Sequence, residues 1–238
     1  MRLRRRCNEP RKLIASRDQM PCALFSSKQS CEGRSARDRR PVNETGWPSV
    51  SAALEAPVMP NILHLTLWLL AAMHTFVPVE EHRWTENEEV TEARYEAIAR
   101  DIAFAVSQPY VQPVFADRDP IAARAKTGLL LVAIAADESH FRDDVTMCKK
   151  GGDSNKSWGL FQTVRSRDRT CSGMLGASGV AIEMVQESFR ICRGSDPRTW
   201  LAEYTDGLAW NTPRAERRSA RRMGRAMTYW REHPYAQN

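Results

Sequence analysis

The chain has 238 residues, of which 42% are hydrophobic, and its formal net charge at pH 7 is +6. Twelve lysines and arginines against four acidic residues give the first forty residues a charge of +8, so the rest of the chain sums to −2. This composition excludes a collagen-like or repeat protein, a disulfide miniprotein and a chain that is disordered throughout, and a basic arm without a basic folded face is only a weak indication of nucleic-acid binding.

The first segment, residues 1–58, is rich in Arg, Ser and Pro and shows no sustained hydrophobic period. Such a composition buries too little apolar surface to offset the entropy of ordering the chain. We therefore expect a disordered basic extension here.

Residues 59–80 contain the one membrane-like segment of the chain. Residues 62–79 carry no formal charge, and their apolar centre from Leu63 to Met73 has the length of a signal-peptide apolar region. A cleaved signal that starts at Met59 is one interpretation, and a signal anchor with the basic tail held inside is a second. Both predict an exported protein that is periplasmic, extracellular or anchored facing outward. The third interpretation is a buried core helix.

The third segment, residues 84–238, is predicted to be an all-α domain. Thr85 to Glu88 have the spacing of a capping box and predict a helix over 86–107. Asp119 and Pro120 supply the start of a second helix over 120–139, which is apolar all round in its second half and therefore central to a core.

Three more helical segments are predicted towards the carboxyl end. The first covers 178–193, the second runs from Asp196-Pro197 to Gly207, and the third runs from Thr212-Pro213 through Tyr229. Six arginines surround the apolar face of the last helix: Arg214, Arg217, Arg218, Arg221, Arg222 and Arg225. This cluster is either a solvated helix face or a binding surface for an anionic polymer.

The central helix passes in one step from its most apolar stretch to ionisable residues. Asp137, Glu138 and Ser139 end it. A carboxylate at the edge of an apolar core is partly desolvated, which favours the neutral form that a general acid needs. Glu138 is therefore a candidate catalytic acid, with a solvated surface residue as the alternative.

Two further motifs follow at a distance. A polar loop leads to Trp158-Gly159-Leu160-Phe161-Gln162, and Ala202-Glu203-Tyr204-Thr205-Asp206-Gly207 comes later. Together with Glu138-Ser139, these motifs resemble the three signatures of the lysozyme-like soluble lytic transglycosylase family, over about 120–232. The family's third motif has Asn where this chain has Thr205, and the stretch from Glu138 to Gln162 is a few residues longer than is typical.

The resemblance implies a lysozyme-like helical domain that cleaves peptidoglycan glycan strands between N-acetylmuramic acid and N-acetylglucosamine. It gives Glu138 the role of sole catalytic acid/base and predicts no metal and no cofactor. The substrate-binding residues that it implies are Ser139, Trp158, Gly159, Gln162 and Tyr204. We expect a monomer with no nucleic-acid partner.

Two alternatives to this function stay open. A hydrolytic lysozyme would use Glu138 together with a second carboxylate, for which Asp143, Asp144, Asp153 and Asp206 are candidates. A non-catalytic cell-wall binding or scaffold protein would keep the fold without a working cleft.

The cysteines bear on the compartment. No Cys-x-x-Cys pair occurs, which argues against a structural zinc site. Export predicts a disulfide among Cys148, Cys171 and Cys192. Of the three possible pairings we expect Cys148 with Cys171, which would fasten the loop that carries Gly159 to Gln162.

Overall fold

The computed structural model describes residues 60–164, 167–192, 196–207 and 212–236. The predicted extension over 1–58 and the start at Met59 lie outside these residues. Within them the protein is all-α, as predicted, and the extended pairing consists of two isolated bridges in the loop after α4. The helices are α1 Ile62–Phe76, α2 Glu88–Ser107, α3 Pro120–Glu138, α4 Asp143–Thr146, α5 Arg167–Thr170, α6 Met174–Cys192, α7 Ala202–Asp206 and α8 Pro213–Glu232.

Helix α3 is the centre of the core. Every residue from Leu129 to Ala136 is buried, and α1, α2, α6 and α8 all pack against this helix. This confirms the prediction from its all-round apolar sequence. The side chains that follow Ala136 therefore emerge at the edge of the core.

Helix α1 is the membrane-like segment, and it packs into the same core. Leu65, Leu69 and Met73 are fully buried on one face, and a Cβ on Gly128 of α3 would lie 3.3 Å from Leu69 Cδ1, so the two helices approach closely. This packing is what the core-helix interpretation expects. Across the described residues, none of the helices has both the length and the hydropathy to cross a membrane.

The helix ends follow their capping residues. Asp119 caps α3 by accepting a hydrogen bond from the Ile121 backbone N–H at 2.8 Å, as predicted. Helix α2 starts two residues later than expected, because its cap is Asn87, which accepts from Glu89 N–H at 2.8 Å. The Thr85 hydroxyl instead donates to the His82 carbonyl.

The later helices differ from their predicted bounds. Helix α6 begins at Met174, four residues before the expected start, and α8 continues past Tyr229 to Glu232. The segment before Gly207 is divided into a short 3-10 helix, Pro197–Thr199, and α7. Its end at Gly207 has the positive φ of 53° that a glycine favours.

Candidate functional site

Glu138 is the last residue of α3, and its side chain is 14% exposed. Its surroundings differ from the purely apolar setting expected from the sequence, because two guanidinium groups contact the carboxylate. The Arg222 guanidinium donates to Oε1 of Glu138, and Nη2 of Arg218 lies 3.7 Å from Oε2. The carboxylate is therefore fixed by two residues of α8.

Asp137, next to Glu138, belongs to the same ion-pair network. It is almost fully buried and contacts Arg221 at 2.9 Å, Arg222 at 3.3 Å and Arg225 at 3.3 Å. Four of the six clustered arginines, Arg218, Arg221, Arg222 and Arg225, thus pair with acidic residues of the protein itself. The cluster is only partly the solvated face or polymer-binding surface that the sequence suggested.

The spacing of the arginines along α8 indicates that several of them share one face of the helix. Positions 218, 222 and 225 follow each other by four and three residues, which places them on one face of a helix. That Arg222 is fully buried could not be foreseen, because its partners lie more than eighty residues earlier in the chain.

Tyr204 connects the second and third motifs. Its hydroxyl donates to the backbone carbonyl of Phe161 at 2.8 Å. Burial raises the pKa of the Tyr204 phenol far above its ordinary value, and the negative charge of Glu138 raises it further. The three motifs therefore meet around this tyrosine.

The Gln162 side chain is held by its own loop. Its Nε2 donates to the Gly159 carbonyl at 3.0 Å, and its Oε1 accepts from the Ser157 hydroxyl at 3.0 Å. The hydrogen bonds of this amide within the described residues stay between 157 and 162. Gln162 is half-buried and fixed, and Glu138 is not among its partners.

Gly159 is required by local packing. Its φ is +70°, and a Cβ there would lie 2.7 Å from Thr170 Cγ2 and 3.6 Å from Cys148 Sγ. Backbone and side chains of the protein itself therefore explain this glycine. Its predicted approach to a sugar stays a prediction.

Trp158 and Ser139 also have partners within the protein. The Arg167 guanidinium covers one face of the Trp158 ring, with Cζ 4.1 Å from the ring centroid. The Ser139 hydroxyl donates to the Ala135 carbonyl and accepts from Phe141 N–H, at 2.9 and 3.1 Å. Ser139 thus fixes the end of α3. Its predicted contact with substrate stays a prediction, and the hydroxyl would have to make that contact besides these two hydrogen bonds.

The disulfide joins Cys148 to Cys171, which confirms the expected pairing. It closes the loop that carries the second motif. Cys192 is buried beside Ala202 and Ala215. Among the residues that the structure describes, no three His, Cys, Asp or Glu side chains are grouped to hold a metal ion.

No family model, curated protein or solved structure matches this chain. The case for a function therefore depends on the residues and their geometry.

Of the four aspartates named as candidate second carboxylates, Asp206 shares an arginine with Glu138. Asp206 Oδ1 is 3.5 Å from Nη1 of Arg218, whose Nη2 faces Glu138. Asp143 pairs with Lys149, and Asp144 pairs with Arg142. The remaining aspartate, at position 153, is exposed in the loop after α4.

Proposed function

We propose that the chain is a lysozyme-like peptidoglycan lytic transglycosylase with Glu138 as its acid/base. The observation that carries the proposal is the meeting of three motifs. Tyr204 of the third motif donates to Phe161 of the second, while the charge of Glu138, from the first, acts on the same phenol. Residues up to 66 positions apart in sequence thus act on one tyrosine, Tyr204.

In the proposed reaction Glu138 first donates its proton to the glycosidic oxygen, and the bond from that oxygen to C1 of N-acetylmuramic acid breaks. The resulting carboxylate then removes the proton from the 6-hydroxyl of the same sugar, and O6 bonds to C1 to give a 1,6-anhydro ring. No water is consumed and Glu138 is protonated again. The 6-hydroxyl is already part of the bound substrate, so no separate nucleophile has to be captured.

The arginines of α8 give this carboxylate a fixed position. Arg222 is fully buried and contacts Glu138 and Asp137 together. Its positive charge stabilises the carboxylate that exists between the two proton transfers. In this proposal Arg222 is a positioning residue, Gln162 and Trp158 line the substrate side, and the buried Tyr204 holds the third motif against the second.

A second candidate function is a hydrolytic lysozyme in which Asp206 activates water. The observation that favours it is that one guanidinium, Arg218, contacts both Glu138 and Asp206. An inverting hydrolase needs its two carboxyl groups about 6.5–9.5 Å apart. The two functions yield different products.

Export of the protein is part of the proposal. The substrate lies outside the cytoplasm, and disulfides such as Cys148–Cys171 persist in oxidising compartments. The proposed partners are glycan strands that the protein contacts as a monomer, without cofactor or nucleic acid.

The test compares Glu138→Gln with Asp137→Asn on purified cell walls. Both changes remove one carboxylate charge from the same arginine network, so both should lower stability, and Asp137→Asn by at least as much because Asp137 is more buried and pairs with three arginines. Only Glu138→Gln removes the acid/base group, and we expect it to lower wall cleavage by about 10²- to 10⁴-fold. Thermal unfolding of both variants controls for their stability. Equal cleavage by the two variants would contradict the catalytic role of Glu138.

A further inference from the structure

A cavity of about 720 Å³ lies beside the chain that follows α3, and none of the residues that line it belongs to α8. Its walls come from two segments of the chain, one before α2 and one after α3. They contribute these residues: Glu81, His82, Thr85, Glu86, His140, Arg142, Asp143 and Asp144. The volume falls in the range of about 300–1,000 Å³ that small-molecule sites occupy.

His82 is the buried residue of the cavity wall, with 5% of its surface exposed. Its Nε2 lies 3.0 Å from the Tyr95 hydroxyl oxygen, and that hydroxyl lies 3.0 Å from the Val77 carbonyl. A carbonyl only accepts, so the single proton of Tyr95 goes to Val77. Nε2 of His82 must then carry the proton that it donates to Tyr95.

The other ring nitrogen, Nδ1, is consequently an unprotonated acceptor. No hydrogen bond from the described residues reaches it. Burial lowers the pKa of His82, and the positive charge of Arg94 lowers it further, so the ring is neutral at neutral pH. The His82 side chain as a whole is buried, but Nδ1 is not among its buried atoms that lack a partner, so this nitrogen is open to a donor from water or from a ligand in the cavity.

The carboxylates of the cavity differ in how far they are neutralised. Glu86 pairs with Arg94, Asp143 with Lys149 and Asp144 with Arg142. Glu81 is exposed, and it forms no ion pair within the described part of the chain. Its negative charge acts on the neighbouring His82.

Two adjacent residues thus present acceptors without donors, and one of them carries a negative charge. A complementary ligand must bring several N–H donors and a positive charge to the same point. A primary ammonium group does both, since it has three donors and no acceptor.

Across the cavity, the chain reverses at His140 and Phe141, with φ of +51° and +54°. Such angles are uncommon for residues other than glycine and persist where the surroundings fix them. Phe141 is fully buried against Tyr95, with ring centroids 5.0 Å apart, and its carbonyl accepts from Arg94 Nε at 2.7 Å. The exposed His140 side chain is thereby held on the cavity wall.

We propose that this cavity binds an organic ammonium group, with the ammonium donating to His82 Nδ1 and to the Glu81 carboxylate. The group is either that of a free diamine or that of a diamino acid side chain in a peptide. The site is separate from the Glu138 network, and the proposal does not depend on glycan cleavage.

The test follows the ¹⁵N signals of the His82 ring by NMR in the full chain. The probes are 1,5-diaminopentane for a free diamine and Nα-acetyl-lysine methylamide for a peptide side chain, with 1-pentanol as the uncharged control. We expect saturable movement of the His82 Nδ1 signal with at least one amine and none with the alcohol. The tighter of the two amines identifies the source of the group.

Two variants give the test its control. Glu81→Gln removes the wall carboxylate at an exposed position, and we expect it to weaken amine binding by about tenfold. Glu80→Gln removes the neighbouring exposed carboxylate, which does not line the cavity, and should leave binding unchanged. Both glutamates are exposed, so neither change should prevent folding. The test therefore does not need a variant of the buried His82.

The proposal is overturned if neither amine produces a saturable shift, or if the two glutamate variants bind equally. It is also overturned if Zn²⁺ moves the His82 signals while both amines leave them in place, since the site would then be a metal site.

Discussion

At the scale of single residues, Arg222 determines how Glu138 is held. Its fully buried guanidinium contacts Asp137 and Glu138 and donates to the Thr205 hydroxyl at 3.2 Å. Thr205 is the residue at which this chain differs from the third motif of the lytic transglycosylase family that it resembles, where Asn is usual. The difference therefore concerns a residue that contacts Arg222. The sequence indicated Glu138 because the chain changes abruptly from apolar to ionisable there, but nothing local to residues 137–139 indicates arginine partners.

Replacing Arg222 should be costly, because the change leaves Asp137 and Glu138 without their buried partner. We expect Arg222→Met to lower the free energy of unfolding by about 3–5 kcal/mol. Arg217→Met changes an exposed arginine of the same helix and should alter it by less than about 0.5 kcal/mol. Urea unfolding of both variants measures the difference, and equal losses would contradict the network.

His82 should make stability depend on pH. Its pKa in the folded protein is below the ordinary value of about 6.5, so the unfolded chain takes up the proton first. The contribution of neutral His82 is therefore present above about pH 6.5 and is lost as the pH falls through the folded-state pKa. The groups that act on the ring are Arg94, Glu86, Glu81 and His140.

We expect the midpoint of thermal unfolding to fall further between pH 7.5 and pH 5 in the wild-type protein than in His82→Gln. Calorimetry at the two pH values measures this difference. Parallel decreases in both proteins would show that His82 does not contribute to the pH dependence.

At the scale of elements, the helices were predictable and the loop geometry was not. Helix α3 could be foreseen from its apolar run and from Asp119-Pro120, because periodicity and capping act within a few residues. The loop from 147 to 164 is shaped by contacts with the disulfide and with α5. Cys148 and Gln162 have positive φ angles although neither is a glycine. Local sequence preferences could not predict these angles.

Gly159 tests this account of the loop. We expect Gly159→Ala to destabilise the protein by about 2 kcal/mol or more, because its φ is positive and the new Cβ would meet Thr170. Gly179→Ala lies in helix α6 with nothing within 4 Å of its Cβ position and should be stabilising by about 0.5–1 kcal/mol. Chemical unfolding of the pair measures both, and a neutral Gly159→Ala would contradict the packing described.

At the scale of the whole molecule, α1 belongs to the folded domain. Its buried face contacts α2 and α3, while Leu63 and Leu67 on the outer face are 69% and 56% exposed. The sequence alone could not separate a signal segment from a core helix, because both are uncharged and apolar over this length. The difference lies in distant contacts. We therefore expect α1 to stay in the mature protein.

Removing α1 should therefore prevent folding. Burial of Leu65, Leu69 and Met73 contributes about 5–9 kcal/mol at 1.5–3 kcal/mol for each side chain, which is comparable to the whole stability of about 5–15 kcal/mol. We expect a chain over 80–238 to lack a cooperative unfolding transition, and a chain over 59–238 to retain it. A similar urea midpoint for both chains would instead favour a removable signal segment.

The measurement that tests the central claim most directly is the mass of the products released from purified peptidoglycan by the full chain. Proposed cleavage through Glu138 and the 6-hydroxyl gives 1,6-anhydro ends, about 18 Da lighter than hydrolytic products, because no water is added. We predict these ends, and their loss in Glu138→Gln but not in Asp137→Asn. Products that carry only reducing ends would contradict the account and assign the enzyme to the hydrolases, and Asp206 would then be the first carboxylate to replace.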